Sequence, residues 1–245
     1  MRYFCRVEYV GTEYAGWQIQ NEQNSVQSEI EHAFSIVSGK PCKVVGAGRT
    51  DTGVHAKGQG MHIDLALIKD LKKFVNSINA VLPEDIAVYN FQEVSESFHA
   101  RYSAIERCYK FYMTERKMPL RNNRVYHITF PINWDLVDHN IPYLIGTHDF
   151  TSFCASKSST KSKICTVNSA NLKKENGTIY IFTIRADRFV YKMVRSIMGT
   201  LIDIGRSKIT ESLNTLIKSK NRTLIGQIAP PHGLVLDYVT YSEVL

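Results

Sequence analysis

The residues best suited to chemistry lie close together. Arg49, Asp51 and His55 bring one cation, one carboxylate and one imidazole into a single short stretch. A carboxylate can attack or take a proton, an imidazole moves protons near neutral pH, and a guanidinium holds anions. Val44-Val45 leads into the stretch, and Gly46, Gly48, Gly53 and Gly58 punctuate it. Glycine accepts backbone angles that other residues avoid, so the spacing predicts a sharply shaped loop. Two widespread patterns overlap it. Gly46-Ala47-Gly48 begins like a dinucleotide fingerprint, but the third glycine would fall at Asp51 and no long helical pattern follows. Asp51-Thr52-Gly53 spells the triplet of aspartic proteases, which need two carboxylates sharing one proton. Only one copy is present, and Arg49 beside it favours the charged carboxylate, which opposes sharing.

Other candidates are spread along the chain. Tyr109 alternates with Arg107, Phe111 and Met113 on one strand face, where a tyrosine either fills the core or stacks on a base. Arg195 lies at the margin of a helical stripe (Val190, Val194, Ile197, Met198, Leu201), where an arginine either snorkels to water or meets an anion. Lys117, Arg121 and Arg124 form one basic loop, and Lys157, Lys161 and Lys163 another. Each is a solvated turn or a phosphate contact. His148 has no ligand-type partner nearby, so a structural role is expected.

The elements that must position these groups follow from periodicity. Arg2 to Val10 alternates as a half-buried strand, and Gly11 to Asn24 is an irregular loop pinned by Trp17. Val26, Ile30, Ala33, Phe34 and Val37 make a helical stripe, with Ser25 as N-cap and Gly39 at its end. Cys42 to Val45 and Met61 to Leu65 read as strands on either side of the glycine loop. A second stripe runs from Leu67 to Ile78, then a strand from Ile86 to Val94 and another from Glu106 to Thr114. Trp134 to Ile145 is helical with Pro142 in its way, and Leu172 to Ala186 is a hairpin turning at Glu175-Asn176-Gly177. A final strand follows Ala229-Pro230-Pro231-His232-Gly233-Leu234. This order fits helices packed on a mainly antiparallel α+β sheet, with a division expected near Ser103 to Glu106.

Composition narrows the class. The chain has 245 residues, 44% of them hydrophobic and 22% charged, which suits a soluble globular protein of one large or two small domains. A net charge of +7 favours a polyanionic partner. The five cysteines are odd in number and scattered, which points away from a disulfide framework or zinc site and toward a reducing compartment. No apolar run nears membrane-spanning length and no signal-type leader is seen, so a cytoplasmic protein is expected.

The stretch Gly48-Arg49-Thr50-Asp51-Thr52-Gly53-Val54-His55-Ala56 resembles the signature of the tRNA pseudouridine synthase A family, with Thr52 for the usual alanine. Gly16-Trp17-Gln18, Phe98-His99-Ala100-Arg101 with Arg107-Cys108-Tyr109, Gly146 to Phe153 and Phe189 to Arg195 resemble further segments, so the likeness covers nearly the whole chain. Cys165 falls where the family often has arginine, a departure that puts a contact from that position in question. The resemblance implies a pseudouridine synthase fold of two related ferredoxin-like α/β halves, residues 1–104 and 105–245, with a central active-site cleft. It implies isomerisation of uridine to pseudouridine at positions 38, 39 and 40 of the tRNA anticodon stem-loop, by a homodimer needing neither cofactor nor metal. Asp51 is then the nucleophile, Tyr109 packs on the target base and Arg195 pairs with Asp51, while Arg49 and His55 contact substrate. Attack at C1′, attack at C6 and removal of a sugar proton all remain open for Asp51. An RNA-binding module without catalysis is the alternative, and it would need no intact acid.

Overall fold

The computed structural model describes residues 1–20, 23–156 and 161–244. The chain forms two compact units, residues 1–105 with 235–245, and residues 106–234.

The first unit is built on β1 (Arg2–Tyr9), α1 (Val26–Ser38), β2 (Val44–Gly46), β3 (His55–Asp64), α2 (Leu71–Val81) and β4 (Ile86–Val94). β1 lies between β3 and β4, antiparallel to both, and β2 adds to β3. α1 starts where the pattern predicts: Ser25 accepts from Ser28 N, and Gly39 closes the helix at φ +71°. Phe34 of α1 and Phe74 of α2 both meet Phe91 of β4, which stacks on Tyr3, so the helices cover that sheet face. β1 is half-buried as its alternation predicts, with Tyr3, Cys5, Val7 and Tyr9 buried and Glu8 exposed, except at one position. Phe4 points to the opposite face and is fully buried against Phe98 and Tyr241. There the segment after β4 folds back over the sheet, while Arg6 stays half-buried and Glu8 exposed.

Two boundaries differ from expectation for physical reasons. α2 begins at Leu71 behind the Asp70 N-cap, and Leu67, counted in its stripe, is exposed outside it. The C-terminal strand, Leu234–Tyr241, belongs with the first unit although sequence order groups it with the second half. It pairs in parallel with β3 at His55 and Ala56, Arg6 donates to Val239 O, and the Tyr241 hydroxyl donates to Ala100 O. A parallel pairing needs a crossover of about a dozen residues or more and sets no upper limit on it, so nothing local in the sequence announces it.

The second unit contains β5 (Ala104–Thr114), β6 (Tyr126–His127), α3 (Trp134–Asn140), β7 (Gly146–Asp149), β8 (Ile164–Glu175), β9 (Ile179–Ala186), α4 (Met193–Gly205) and α5 (Leu213–Ser219). Antiparallel neighbours run β5, β9, β8, β7, and β6 joins β5 in parallel. The hairpin turns as predicted, with positive φ at both Asn176 and Gly177. Pro142 ends α3 early, and a 3-10 turn carries the chain from Ile141 to Leu144. α4 starts at Met193, later than the stripe suggests, and is buried on most sides. The C-terminal strand is β10.

Candidate active site

In the first unit the loop between β2 and β3 carries Asp51. Its backbone is held by the neighbouring Gly11–Gln18 segment. Trp17 N donates to Thr50 O at 3.2 Å and Gly53 N to Tyr14 O at 3.4 Å, directly flanking Asp51 and Thr52. Tyr9 and Thr50 share a buried hydroxyl hydrogen bond of 2.7 Å. Ala47 N donates to Gly60 O, and Gln59, fully buried in β3, donates its amide to Gly48 O at 2.8 Å. The two segments approach too closely for side chains. A Cβ on Gly16, which sits at φ +98°, would lie 2.4 Å from Thr50 O, and one on Gly46 would lie 2.6 Å from the Trp17 indole.

Within this frame Asp51 is half-buried and its carbonyl accepts from Val54 N. Arg49 is exposed, and Gln18 Oε1 accepts from its Nε at 3.2 Å. His55 opens β3 and is only 5% exposed. Its Nδ1 accepts from Gly11 N at 3.0 Å, so the neutral ring carries its proton on Nε2. Arg49, Asp51 and His55 thus belong to one braced loop of one unit. The bracing partners Gln18, Tyr9 and Gln59 are missed by the sequence reading. Gly16-Trp17-Gln18 signals the first, whereas a buried glutamine in a strand looks like a solvent-facing position.

In the second unit Tyr109 lies on β5 opposite Ile184 of β9, half-buried, its ring edge-on to Phe189 at 5.1 Å. Phe111 and Met113, further along β5, are the fully buried members of that strand face. Arg195 sits in the first turn of α4. Its Nε donates to Ala229 O at 2.9 Å, and Ala229 N donates back to Arg195 O at 3.0 Å, so the side chain is fixed and not left trailing in water. Lys192 at φ +63° forms the turn into the helix. Burial, and then the Arg195 charge, lower the pKa of His232, whose ring meets Tyr126 at 5.8 Å. A guanidinium in the first turn of a helix opposes the helix dipole by about 0.3–1 kcal/mol, which the charge-assisted hydrogen bond to Ala229 O offsets.

Of the remaining candidates, Lys117, Arg121 and Arg124 are exposed around a 3-10 turn at Pro119–Arg121. Lys161 is exposed and Lys163 half-buried, and Lys157 lies outside the described residues. His148 bonds Ile145 O at 3.0 Å and packs edge-on to Phe150, which is the structural role expected of it. Cys165 is fully buried, and burial pushes its thiol up to about 11. Among the described residues no group of histidine, cysteine or acidic side chains is arranged to hold a metal.

The family model described as tRNA pseudouridine synthase matches residues 6–103 and 141–242. The chain belongs to the tRNA pseudouridine synthase family. Membership makes it an enzyme, an isomerase, and the pseudouridine synthase fold accounts for its mixed α/β, mostly antiparallel construction. A tRNA pseudouridine synthase A of Azobacteroides pseudotrichonymphae is 40% identical over 243 residues, covering 99% of this chain and 97% of its own. One from a Thermoanaerobacter strain is 43% identical over 96% of this chain and 97% of its own, and one from Parabacteroides distasonis 40% identical over 100% and 97%. A solved Cbf5-Nop10-Gar1 complex is a distant likeness, with 9% identity and a TM-score of 0.35 over 81% of this chain and 54% of that one. The synthase model's matched segments include Asp51 and Arg195 but not Tyr109, which falls between them.

Proposed function

We propose that the chain isomerises uridine to pseudouridine at positions 38, 39 and 40 in the anticodon stem-loop of tRNA, with Asp51 as nucleophile. The observation that carries this reading is a carboxylate, in the family's signature stretch, on a loop whose flanking carbonyl and amide are both held by the Gly11–Gln18 backbone. The reaction breaks the bond between C1′ and N1, turns the uracil, and joins C1′ to C5. N1 gains a proton and the hydrogen on C5 is lost. No electrons are exchanged with an outside partner, so the reading includes neither cofactor nor metal.

Asp51 has three places to act: C1′, C6 of the base, or a sugar proton. All three need it ionised while substrate excludes water, and desolvation alone would favour the neutral acid. In this reading Arg195 supplies the counter-charge, which gives a reason for a fixed guanidinium at the unfavourable end of a helix. Tyr109 supports the uracil as it turns, its ring held on a strand and its hydroxyl able to pass a proton. Turning a base out of the stack costs a few kcal/mol, and Arg49 and His55 are assigned to holding the opened strand. The tRNA partner suits the net charge of +7. The same reading includes a cytoplasmic homodimer; a solution mass measurement finding only a 27.9 kDa species would remove the dimer.

The test is hydrogen release. Tritium placed on C5 of the uridines of tRNA is set free when C5 becomes bonded to C1′. The parent chain should release it without added metal or nucleotide. Asp51→Asn keeps the shape and loses the charge, so it should bind tRNA about as well and release nothing above background. Persistent release from a deamidation-free Asp51→Asn preparation would refute the role of Asp51. No release from the parent would leave a binding module.

A further inference from the structure

Tyr102 is the most interesting surface side chain of the first unit. It is 77% exposed, in the turn joining β4 to β5. A single exposed aromatic is ordinary in a soluble protein, so exposure alone carries nothing. What sets this one apart is how firmly it is held. Every backbone N–H from His99 to Ser103 is donated to a definite acceptor. His99 N goes to Ser103 Oγ at 3.0 Å and Ala100 N to His62 Nδ1 at 3.1 Å. Arg101 N and Tyr102 N both go to His99 Nδ1, at 3.2 and 3.3 Å, and Ser103 N closes the turn on His99 O at 2.8 Å. The turn is seated on fully buried Phe98 and Ala100, and Ala100 O accepts from the Tyr241 hydroxyl.

The rings form a ladder rising out of this seat. His62 meets His99 at 4.9 Å, and His99 meets Tyr102 at 4.4 Å with 35° between planes. The ring of Tyr102 ends the ladder in solvent, with the exposed Arg101 guanidinium 5.8 Å from its centre. The foot of the ladder is close to the loop that carries Asp51. His62 of β3 pairs directly with Val45 of β2, and Gly46 follows as the first residue of the loop's entry. A rigid aromatic ring beside an arginine is the arrangement by which proteins take an unstacked base and its phosphate. Because the turn is already ordered, little freedom is lost when the ring is covered.

We infer that Tyr102 is a stacking platform for an unpaired base of the tRNA substrate, with Arg101 beside it for that nucleotide's phosphate. This rests on the tRNA reading above. Stacking on a residue away from the reacting atoms is uniform binding, so it acts on KM and leaves kcat alone.

The experiment measures tritium-release kinetics and tRNA affinity for the parent, Tyr102→Ala, Tyr102→Phe and Arg101→Met. Tyr102→Ala should raise Kd and KM by roughly fivefold to a hundredfold, the range that loss of one base–aromatic stack produces, with kcat unchanged. Tyr102→Phe should restore parent values, because the ring and not the hydroxyl stacks. Tyr102→Ala should leave the slope of log affinity against log salt unchanged, whereas Arg101→Met should lower it by about one. Parent-like KM in Tyr102→Ala overturns the inference. So does a Tyr102→Ala protein that loses self-association while keeping its tRNA affinity, since the face would then serve a protein. A parent that neither turns over nor binds tRNA brings down the functional reading and this inference together. A parent that works with Tyr102→Ala unaltered brings down only this one.

Discussion

The Asp51 loop and the Lys117–Arg124 loop are both irregular, polar segments between strands, yet they are held in opposite ways. The first is tied down from outside itself: Trp17, Tyr14, Tyr9, Gln59 and Gly60 all reach it from other segments. The second is held chiefly by its own backbone, through Arg121 N to Met118 O, Asn122 N to Pro119 O and Arg124 N to Arg121 O. Leu120 at its tip is fully exposed. A carboxylate that must meet one atom of a substrate needs a fixed backbone, because a misplacement of about 1 Å can cost a hundredfold in rate. A cation that meets a phosphate needs only to arrive in its neighbourhood, since charge acts over a Debye length of about 8 Å. On the proposed reading, the difference in bracing is a difference in job.

The sharpest way to break that comparison is at Gly16. Alanine there puts a Cβ 2.4 Å from Thr50 O at a φ of +98°, so the segment bracing Asp51 must shift. Gly16→Ala should fold and lose on the order of a hundredfold or more in kcat/KM for tRNA. In the basic loop, Asn123→Ala also alters a positive-φ site (φ +57°), and there the same measurement should stay within about twofold, because surface substitutions are generally small in effect. If the two variants behave alike, bracing does not distinguish the loops.

A second expectation concerns the buried seat under the first unit's outer sheet face. Burial, with the charges of Arg2 and His99, lowers the pKa of His62 from 6.5 to about 4, and its Nδ1 accepts from Ala100 N only while unprotonated. The unfolded chain binds this proton below pH 6.5 and the folded chain does not. Stability is therefore intact above pH 6.5 and falls as pH drops toward 4. Denaturant titrations of the parent and of His62→Gln at pH 7 and pH 4.5 test it. The variant should start lower and lose less on acidification, and a parallel loss in both would assign the acid sensitivity elsewhere.

What the sequence made legible follows the range of the interactions. α1 could be read from Ser25 and Gly39 because a helix is capped by its immediate neighbours. The turn at Asn176-Gly177 was legible for the same reason. The burial of Phe4 on the far side of β1 was not, because it depends on Phe98 and Tyr241, far along the chain. Placing β10 beside β3 failed on the same ground. At the site, Asp51 and Arg49 stood out through the signature stretch Gly48 to Ala56, because a glycine-rich turn with solvated charges offers the same local pattern. Gln59 and Tyr9 did not, because a buried amide or hydroxyl acting on a distant backbone leaves no local pattern. α5 went unread for want of length: seven residues, capped by Ser212, offer too few positions for a stripe.

The smallest expected effect belongs to the basic loop, and it completes the contrast. Lys117, Arg121 and Arg124 are exposed. Replacing one of them with alanine removes at most one phosphate contact. The slope of log affinity for tRNA against log salt should then fall by about one, with kcat unchanged. Replacing all three should lower the slope by up to about three, and the losses should add, because independent long-range charges do not depend on each other's geometry. Strong non-additivity among the three would mean that this loop is as tightly arranged on the substrate as the Asp51 loop is within the protein. In that case the two loops would differ only before tRNA binds, with the basic loop acquiring its order from the RNA.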